Sequence, residues 1–456
     1  MATVQKIDAE SQPGVENSLN LFSLPPTTVA FNKATLRELL PITSLDNSGP
    51  YCFRIFSDNQ FIDLSRTWFY LETCIEKRTT TGGWAKIAET ADDRHVGVCN
   101  NFGSSFIKRL DIKVNGKEIF NSGTNYAYRA YLNHELFTSN ETRKTLSEAS
   151  CYYGDSHANA QPDYYENDGF KNRKARFAKG QTCYTMSKLD FDLAEQRNLF
   201  VNNVDILFTI YRNDDDWLII APPHKATAAD EAYTNNTSVY RVSVLSMKIY
   251  VVTVDVVQSL QNAIARYLTS QPVKYALRKV EVRNFYLGPG RQDLVYNVFQ
   301  STVPRRVIVG FVNRKGFMGD KALSPFYFEN ADVRTICVEA GGNTWPAVPY
   351  EFNFGENKFI RGFVDMYEHL NLIGQPHSIN LTMPKYQKGW TFFTFNLTST
   401  LKDTSAFELI KNSTTVIKVV FNTAIEDPGY EMIVFAEFDQ IITANTDRVV
   451  QLSGTV

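Results

Sequence analysis

The chain has 456 residues, of which 43% are hydrophobic and 21% are charged. These proportions are those of a globular protein and exclude a disordered or collagen-like chain. The 47 basic and 49 acidic residues give a net charge of -2, so the chain lacks the overall positive field that holds nucleic acid by counterion release. The length suits two domains, and the 13% aromatic content favours strands.

The six cysteines lie at least 22 residues apart. This spacing excludes a local CxxC redox or zinc motif and favours free thiols in a reducing compartment. The first residues lack the basic and apolar regions of a signal peptide, and no apolar run approaches the length of a membrane span. The sequence therefore predicts a soluble, intracellular, β-rich chain with no transmembrane segment.

The N-terminal residues are mostly polar and contain a Leu-Pro-Pro-Thr stretch at 24–27, which suits an extended segment. We predict an N-terminal arm over residues 1–48. Its beginning carries Lys6 against Asp8, Glu10 and Glu16. The arm is therefore not an arginine-rich tail of the kind that neutralises packaged RNA.

Alternation of apolar and polar residues, the pattern of a half-buried strand, begins near residue 50. In residues 110–114 the even positions are apolar and the odd ones charged. Asn115-Gly116 follows, which is a favoured pair for a type I′ hairpin turn. Further strands are predicted at residues 204–210, 242–256, 306–312, 391–397, 416–421 and 431–442.

Helical patterns are few. One short helix is predicted where Tyr128, Tyr131, Leu132 and Leu136 share a face, and a second begins near Val257 and ends before Pro272. The second helix lies between two strand-rich halves, which makes it the natural connector. The predicted organisation is two β-sandwiches in tandem, with domains at 49–256 and 274–456 and a helical connector at 257–273.

The sequence contains none of the common motifs of phosphate binding or hydrolysis, such as GxxxxGK[ST], GxGxxG or GxSxG. His134-Glu135 resembles the start of HExxH, but Thr138 stands where the second zinc ligand is required. We therefore predict that His134 lies at the surface or at a helix end. The sequence nominates no catalytic, cofactor-binding or metal-binding residue and no cofactor.

Two clusters of like charge stand out. Asp214-Asp215-Asp216 is predicted to be a solvated loop, because calcium loops need spaced oxygen ligands and a turn glycine. The basic run at 171–176 has two possible roles: it contacts a phosphate backbone, or it forms a solvated loop or subunit contact. We predict a solvated loop or subunit contact. Carboxylate pairs of β-sandwich glycosidases come from distant strands, so the sequence alone does not exclude one.

Ten short blocks share their order along the chain with one known family. In the first half they are LPPT (24–27), LDNSGP (45–50), FIDLS (61–65), DIKVNG (111–116), YAYRAYL (126–132) and NRKARFAKG (172–180). In the second half they are LRKVEV (277–282), VPRRVIVG (303–310), SPFYF (324–328) and VFAEFD (434–439). In these blocks the chain resembles the major capsid proteins of Polinton/Maverick elements, which are adintovirus-like integrated viruses. Residues 313–319 depart from the family, which is more acidic there.

The resemblance implies an all-β fold of two tandem eight-stranded jelly rolls (a double jelly roll) with a few short helices, related in architecture to the adenovirus hexon and to virophage coats. It implies a homotrimer that forms a pseudo-hexagonal capsomer in the icosahedral shell of a double-stranded DNA virus or virus-like integrated element. The implied location is the virion, assembled in the nucleus or cytoplasm of the host cell.

The resemblance also implies partners, namely neighbouring capsomers and penton and minor or cement capsid proteins. It implies no enzymatic activity. Sequence-specific nucleic-acid binding is not expected, in agreement with the net charge. Two alternatives remain open: a tandem β-sandwich that binds or processes carbohydrate, and a minor vertex protein, although vertex proteins usually have one jelly roll and are shorter than this chain.

Overall fold

A computed structural model describes residues 8, 10–12, 17–22, 24–46, 48–90, 92–156, 167–224, 235–401 and 406–453. In the N-terminal half, the strands are β1 (Phe31–Leu39), β2 (Tyr51–Phe56), β3 (Phe61–Arg78), β4 (Trp84–Lys86), β5 (Gly97–Val98), β6 (Ile107–Val114), β7 (Lys117–Asn121), β8 (Cys183–Lys188), β9 (Asp205–Arg212), β10 (Ile219–Ile220) and β11 (Tyr240–Val256). The helices are α1 (Phe102–Ser105), α2 (Tyr126–Phe137), α3 (Asn140–Arg143), α4 (Asp168–Ala175) and α5 (Asp215–Leu218).

Eight of these strands form a jelly roll. One sheet has the strand order β1-β11-β3-β8 and the other has the order β2-β9-β6-β7. In chain order, the first, eighth, third and sixth strands thus make one sheet, and the second, seventh, fourth and fifth make the other. This is the connectivity of two interleaved Greek keys, which closes eight strands into two packed sheets. We call this unit roll 1.

The C-terminal half repeats the arrangement. Its strands are β12 (Val273–Leu287), β13 (Asp293–Phe299), β14 (Arg306–Asn313), β15 (Phe328–Glu329), β16 (Val333–Ala340), β17 (Asn343–Trp345), β18 (Phe393–Asn396), β19 (Thr415–Phe421), β20 (Tyr430–Ala444) and β21 (Val450–Ser453). The sheet orders β12-β20-β14-β18 and β13-β19-β16-β17 follow the same connectivity as in roll 1. We call this unit roll 2, and the predicted double jelly roll is confirmed.

The helices of the C-terminal half are α6 (Gln258–Ser270), α7 (Arg314–Met318), α8 (Ile360–His369) and α9 (Met383–Gln387). Helix α6 lies between β11 and β12, where the sequence predicts the connecting helix. We propose that it divides the chain into two domains at the predicted connector, residues 257–273. Buried apolar residues of both rolls nevertheless belong to one continuous core.

The predicted hairpin is present. Strands β6 and β7 pair with Val114 opposite Lys117, and the two turn residues Asn115 and Gly116 both have positive φ, at 48° and 81°. Positive φ at both central positions defines the type I′ turn, whose twist matches that of the flanking strands. Asn115 also accepts a hydrogen bond from the N–H of Asp205, at 2.9 Å, which ties the turn to β9.

The prediction that residues 1–48 form an arm is wrong for residues 31–39. These residues form β1, which pairs antiparallel with β11 from Phe31 opposite Val256 to Leu39 opposite Ile249. The sequence pattern missed this strand because it lies at the edge of its sheet and is exposed along most of its length, so no apolar alternation marks it.

We expect Gly116→Val to lower the free energy of unfolding by about 1–2 kcal/mol, because a side chain with a Cβ atom is strained at positive φ. Urea denaturation followed by circular dichroism measures this change. Gly288→Ala is the control, since a Cβ atom there meets its nearest neighbour at 3.6 Å, an ordinary contact distance. Equal stability of the two variants would contradict the assignment of the turn.

Candidate assembly surfaces

The junction between the two rolls is built around a buried arginine in helix α2. Arg129 is 2% exposed, and its guanidinium lies 3.0 Å from Asp190 and 2.9 Å from Asp192. It also donates a hydrogen bond to the carbonyl oxygen of Val280 in β12, at 3.0 Å. Burial disfavours the charged guanidinium, but the two carboxylates outweigh it and raise the pKa of Arg129, so the group is charged.

Other polar side chains of roll 1 cap the free edge of β12, which is paired only with β20 on its other side. Asn125 donates to the carbonyl oxygen of Val282 at 3.3 Å, and Asp192 accepts from the N–H of Val280 at 3.2 Å. Gln196 donates to the carbonyl oxygen of Ala276. An edge strand is prone to pair with other chains, and these contacts block that pairing here.

Aromatic side chains pack beside the polar contacts. Tyr131 stacks on Phe326 with ring centroids 4.0 Å apart and an interplanar angle of 6°. Tyr128 packs against Phe326 and Phe317 at 5.6 and 5.7 Å, and its hydroxyl donates to the carbonyl oxygen of Pro325 at 3.0 Å. The sequence pattern predicts both tyrosines on one face of a helix but does not single out Arg129. The pattern that could have marked Arg129 as buried is a charged residue with aromatic residues on both sides.

A cavity of about 530 Å³ lies beside this junction, lined by residues that include Trp68, His134, Phe137, Lys188, Arg278 and Glu437. His134 lies in the last turn of α2, which confirms the predicted position at a helix end, but its side chain is half-buried rather than at the surface. Its Nε2 atom is buried without a hydrogen-bond partner among the described residues, and its ring packs edge-on against Tyr152 at 4.4 Å. Burial lowers the pKa of His134 from 6.5 to about 4.

The basic run at 171–176 is not a solvated loop. It lies mostly in α4, and Arg173 is fully buried, with its guanidinium 2.9 Å from Asp155 and hydrogen-bonded to the carbonyl oxygen of Val98 at 3.1 Å. The prediction of a solvated loop failed because the sequence does not show which of the basic residues faces the interior of roll 1, whereas the alternative of a subunit contact stays a prediction. Lys171 in the same helix is exposed, as predicted.

The acidic run begins a short helix, and two of its three members pair with cationic side chains. Asp214 precedes α5 and pairs with Lys108 at 2.8 Å, while Asp215 contacts Arg212 and accepts from the N–H of Val242 at 2.9 Å. Among the described residues, no group of three or more His, Cys, Asp and Glu side chains is placed to hold a metal ion. The six cysteines, which all lie in the described ranges, are free thiols.

Exposed apolar side chains gather in three places. The first is the N-terminal segment through β1, with Leu24, Val29, Phe31 and Leu36 exposed. The second is the outer face of α8, and the third is the segment after β18, where Leu409 is 84% exposed. Exposed apolar groups on this scale mark surfaces for contact with other proteins.

No helix in the described part of the chain combines the length and apolar character that crossing a membrane requires. No protein-family model matches the chain. The protein F54H12.2 of Caenorhabditis elegans, described as uncharacterized, is 26% identical over 408 residues, which are 88% of this chain and 92% of that protein.

Solved structures of similar fold cover almost the whole chain. A chain of the Sputnik virophage structure matches with a TM-score of 0.64 at 11% identity, covering 98% of this chain and 94% of that one. The Faustovirus major capsid protein matches with a TM-score of 0.59 at 10% identity over 92% of each chain. The mavirus major capsid protein matches with a TM-score of 0.57 at 12% identity, covering 99% of this chain and 97% of that one. The protein therefore has the fold of double jelly-roll capsid proteins.

We expect Arg129→Met to destabilise the protein by about 3–5 kcal/mol, because it leaves the buried Asp192 and the half-buried Asp190 without their cation. Urea denaturation measures the change, and Arg66→Met, at an exposed position, is the control. A loss no larger than that of the control would show that the junction does not depend on this ion pair.

The histidine in the cavity wall predicts a pH dependence. Its folded pKa of about 4 lies below the value of 6.5 for an unperturbed histidine, so between these values the unfolded chain binds a proton that the folded chain does not. Stability therefore falls as the pH drops from 7 to 5, by about 2 kcal/mol from this group.

We expect His134→Gln to lose about 2 kcal/mol less than the wild type between pH 7 and pH 5. Urea denaturation at the two pH values measures the difference. His377→Gln, at an exposed position, should behave like the wild type. Identical pH dependence in all three proteins would contradict the burial of His134.

Proposed function

We propose that the protein is a major capsid protein, whose trimers are the pseudo-hexagonal capsomers of an icosahedral shell around a double-stranded DNA genome. The observation that carries this proposal is the pair of eight-stranded jelly rolls, matched along nearly the full chain by the mavirus and Faustovirus major capsid proteins.

The architecture suits a shell for a geometric reason. Rolls 1 and 2 have the same strand connectivity, so three chains in a ring present six similar lobes while only threefold symmetry has to close. Such a unit packs among six neighbours. The partners in this proposal are neighbouring capsomers, with penton and minor or cement proteins completing the shell, and the location is the virion.

The charge and the sequence blocks of the chain also support a capsid role. Its formal charge of -2 suits a shell protein that leaves neutralisation of the genome to other components. The blocks shared with Polinton/Maverick capsid proteins point to an integrated virus-like element. A relative in Caenorhabditis elegans, an animal, suits an element that resides in host genomes.

The test is the mass of the purified chain in solution by light scattering, with negative-stain imaging of the same peak. We expect about 156 kDa, three times the chain mass of 51.9 kDa, and a hexagonal outline. A monomer that does not trimerise on concentration would overturn the proposal. Glycan-array binding by such a monomer would favour the carbohydrate-binding alternative instead.

A further inference from the structure

The contact between the rolls within one chain provides a template for the contact between chains. In roll 1, helix α2 follows the fifth strand, β7, and packs on β12, the first strand of roll 2. Nine of its 12 residues are buried. The helix thus has its own roll on one side and the next roll on the other.

Roll 2 has a helix at the same topological position, but nothing in the described chain covers its outer side. Helix α8 follows the fifth strand, β17, and packs on β18 of its own roll. Only Gly362 and Met366 of its ten residues are buried. Ile360 and Val364, one helical turn apart, are 56% and 44% exposed and form an apolar pair on the outer face of α8. Exposed charged residues, Arg361 and Glu368, flank this pair.

The strand of roll 1 that corresponds to β12 is exposed in the same way as the outer face of α8. Strand β1 is the first strand of roll 1 and has a partner on one side only, as β12 has in roll 2. Phe31 and Leu36 are 55% and 59% exposed. Whereas side chains of roll 1 cap β12, the side-chain hydrogen bonds described for β1 all stay within roll 1, for example from Arg37 to Gln60 and from Tyr250 to Glu38.

Among the described residues, two surfaces that correspond to the two sides of the contact between α2 and β12 therefore remain uncovered, a helix face on roll 2 and an edge strand on roll 1. We propose that the outer face of α8, formed by Ile360 and Val364, docks on β1 of a second copy of this chain, at Phe31 and Leu36. This head-to-tail contact repeats the one between α2 and β12, and rolls 1 and 2 then alternate around a ring. It rests on the proposed function, because a heterologous contact of this kind closes only if the rotation between copies fits a ring, here of three.

The test uses two charge variants of the full chain on opposite sides of the contact. One carries Ile360→Lys with Val364→Lys, and the other carries Phe31→Glu with Leu36→Glu. Each places unpaired charges in an apolar contact, so we expect each to weaken trimer association at least about 100-fold by light scattering across a dilution series. Val295→Lys, at a position 62% exposed on β13, is the matched control and should remain trimeric.

Combining both sets of substitutions in one chain separates this contact from any other. Lysines on α8 then face glutamates on β1 of the neighbour, and we expect the combined variant to recover at least about tenfold of the lost association. A contact of α8 with α8, or of β1 with β1, gives no recovery. All substituted side chains are exposed within the chain, so circular dichroism spectra and melting temperatures should match the wild type.

The outcomes also separate this inference from the proposed function. A wild-type monomer overturns both. A trimeric wild type whose two charge variants remain trimeric at every dilution overturns the contact of α8 with β1 and leaves the capsid proposal standing. Loss of the trimer in each variant without recovery in the combined chain overturns the pairing of these two surfaces.

Discussion

The free edge of β12 is the constraint on which the arrangement of the two rolls depends. An edge strand presents backbone N–H and C=O groups that must find partners once another domain covers them. Arg129, Asn125 and Asp192 supply those partners, and Arg129 is held in turn by Asp190 and Asp192. Because these polar groups supply hydrogen-bond or ion-pair partners for one another, the rolls are fixed in one relative position. Apolar contact alone does not specify such a position.

The two kinds of contact at the junction have different roles. Burying a guanidinium and two carboxylates costs desolvation energy, so the ion pairs contribute little net stability although removing one partner is costly. The stacked rings of Tyr131 and Phe326 bury apolar area and provide the favourable free energy. The polar set determines the register of the junction. The capsid role that we propose requires this rigidity, because a small error in the angle between rolls is repeated in every copy of a shell.

The sequence predicted well the elements whose burial differs between their two faces. Strands β6, β9 and β11 alternate because one face packs on a core and the other faces outward, and the Asn115-Gly116 turn has its own backbone requirement. Strand β1 was missed because an exposed edge strand has no such alternation. Arg173 was misplaced because a basic run looks the same whether one of its members faces solvent or reaches Asp155 in the interior.

By itself the sequence determined the β-rich class, the helix between two strand-rich halves, the absence of common catalytic motifs and, through its ordered blocks, the resemblance to capsid proteins. These follow from local periodicity and composition, which each segment carries alone. Only the tertiary structure decided that β1 joins the first sheet, that Arg129 caps β12, and that the described residues leave α8 and β1 uncovered. Those facts depend on contacts between segments that lie more than a hundred residues apart in the chain. No local sequence pattern predicts such contacts.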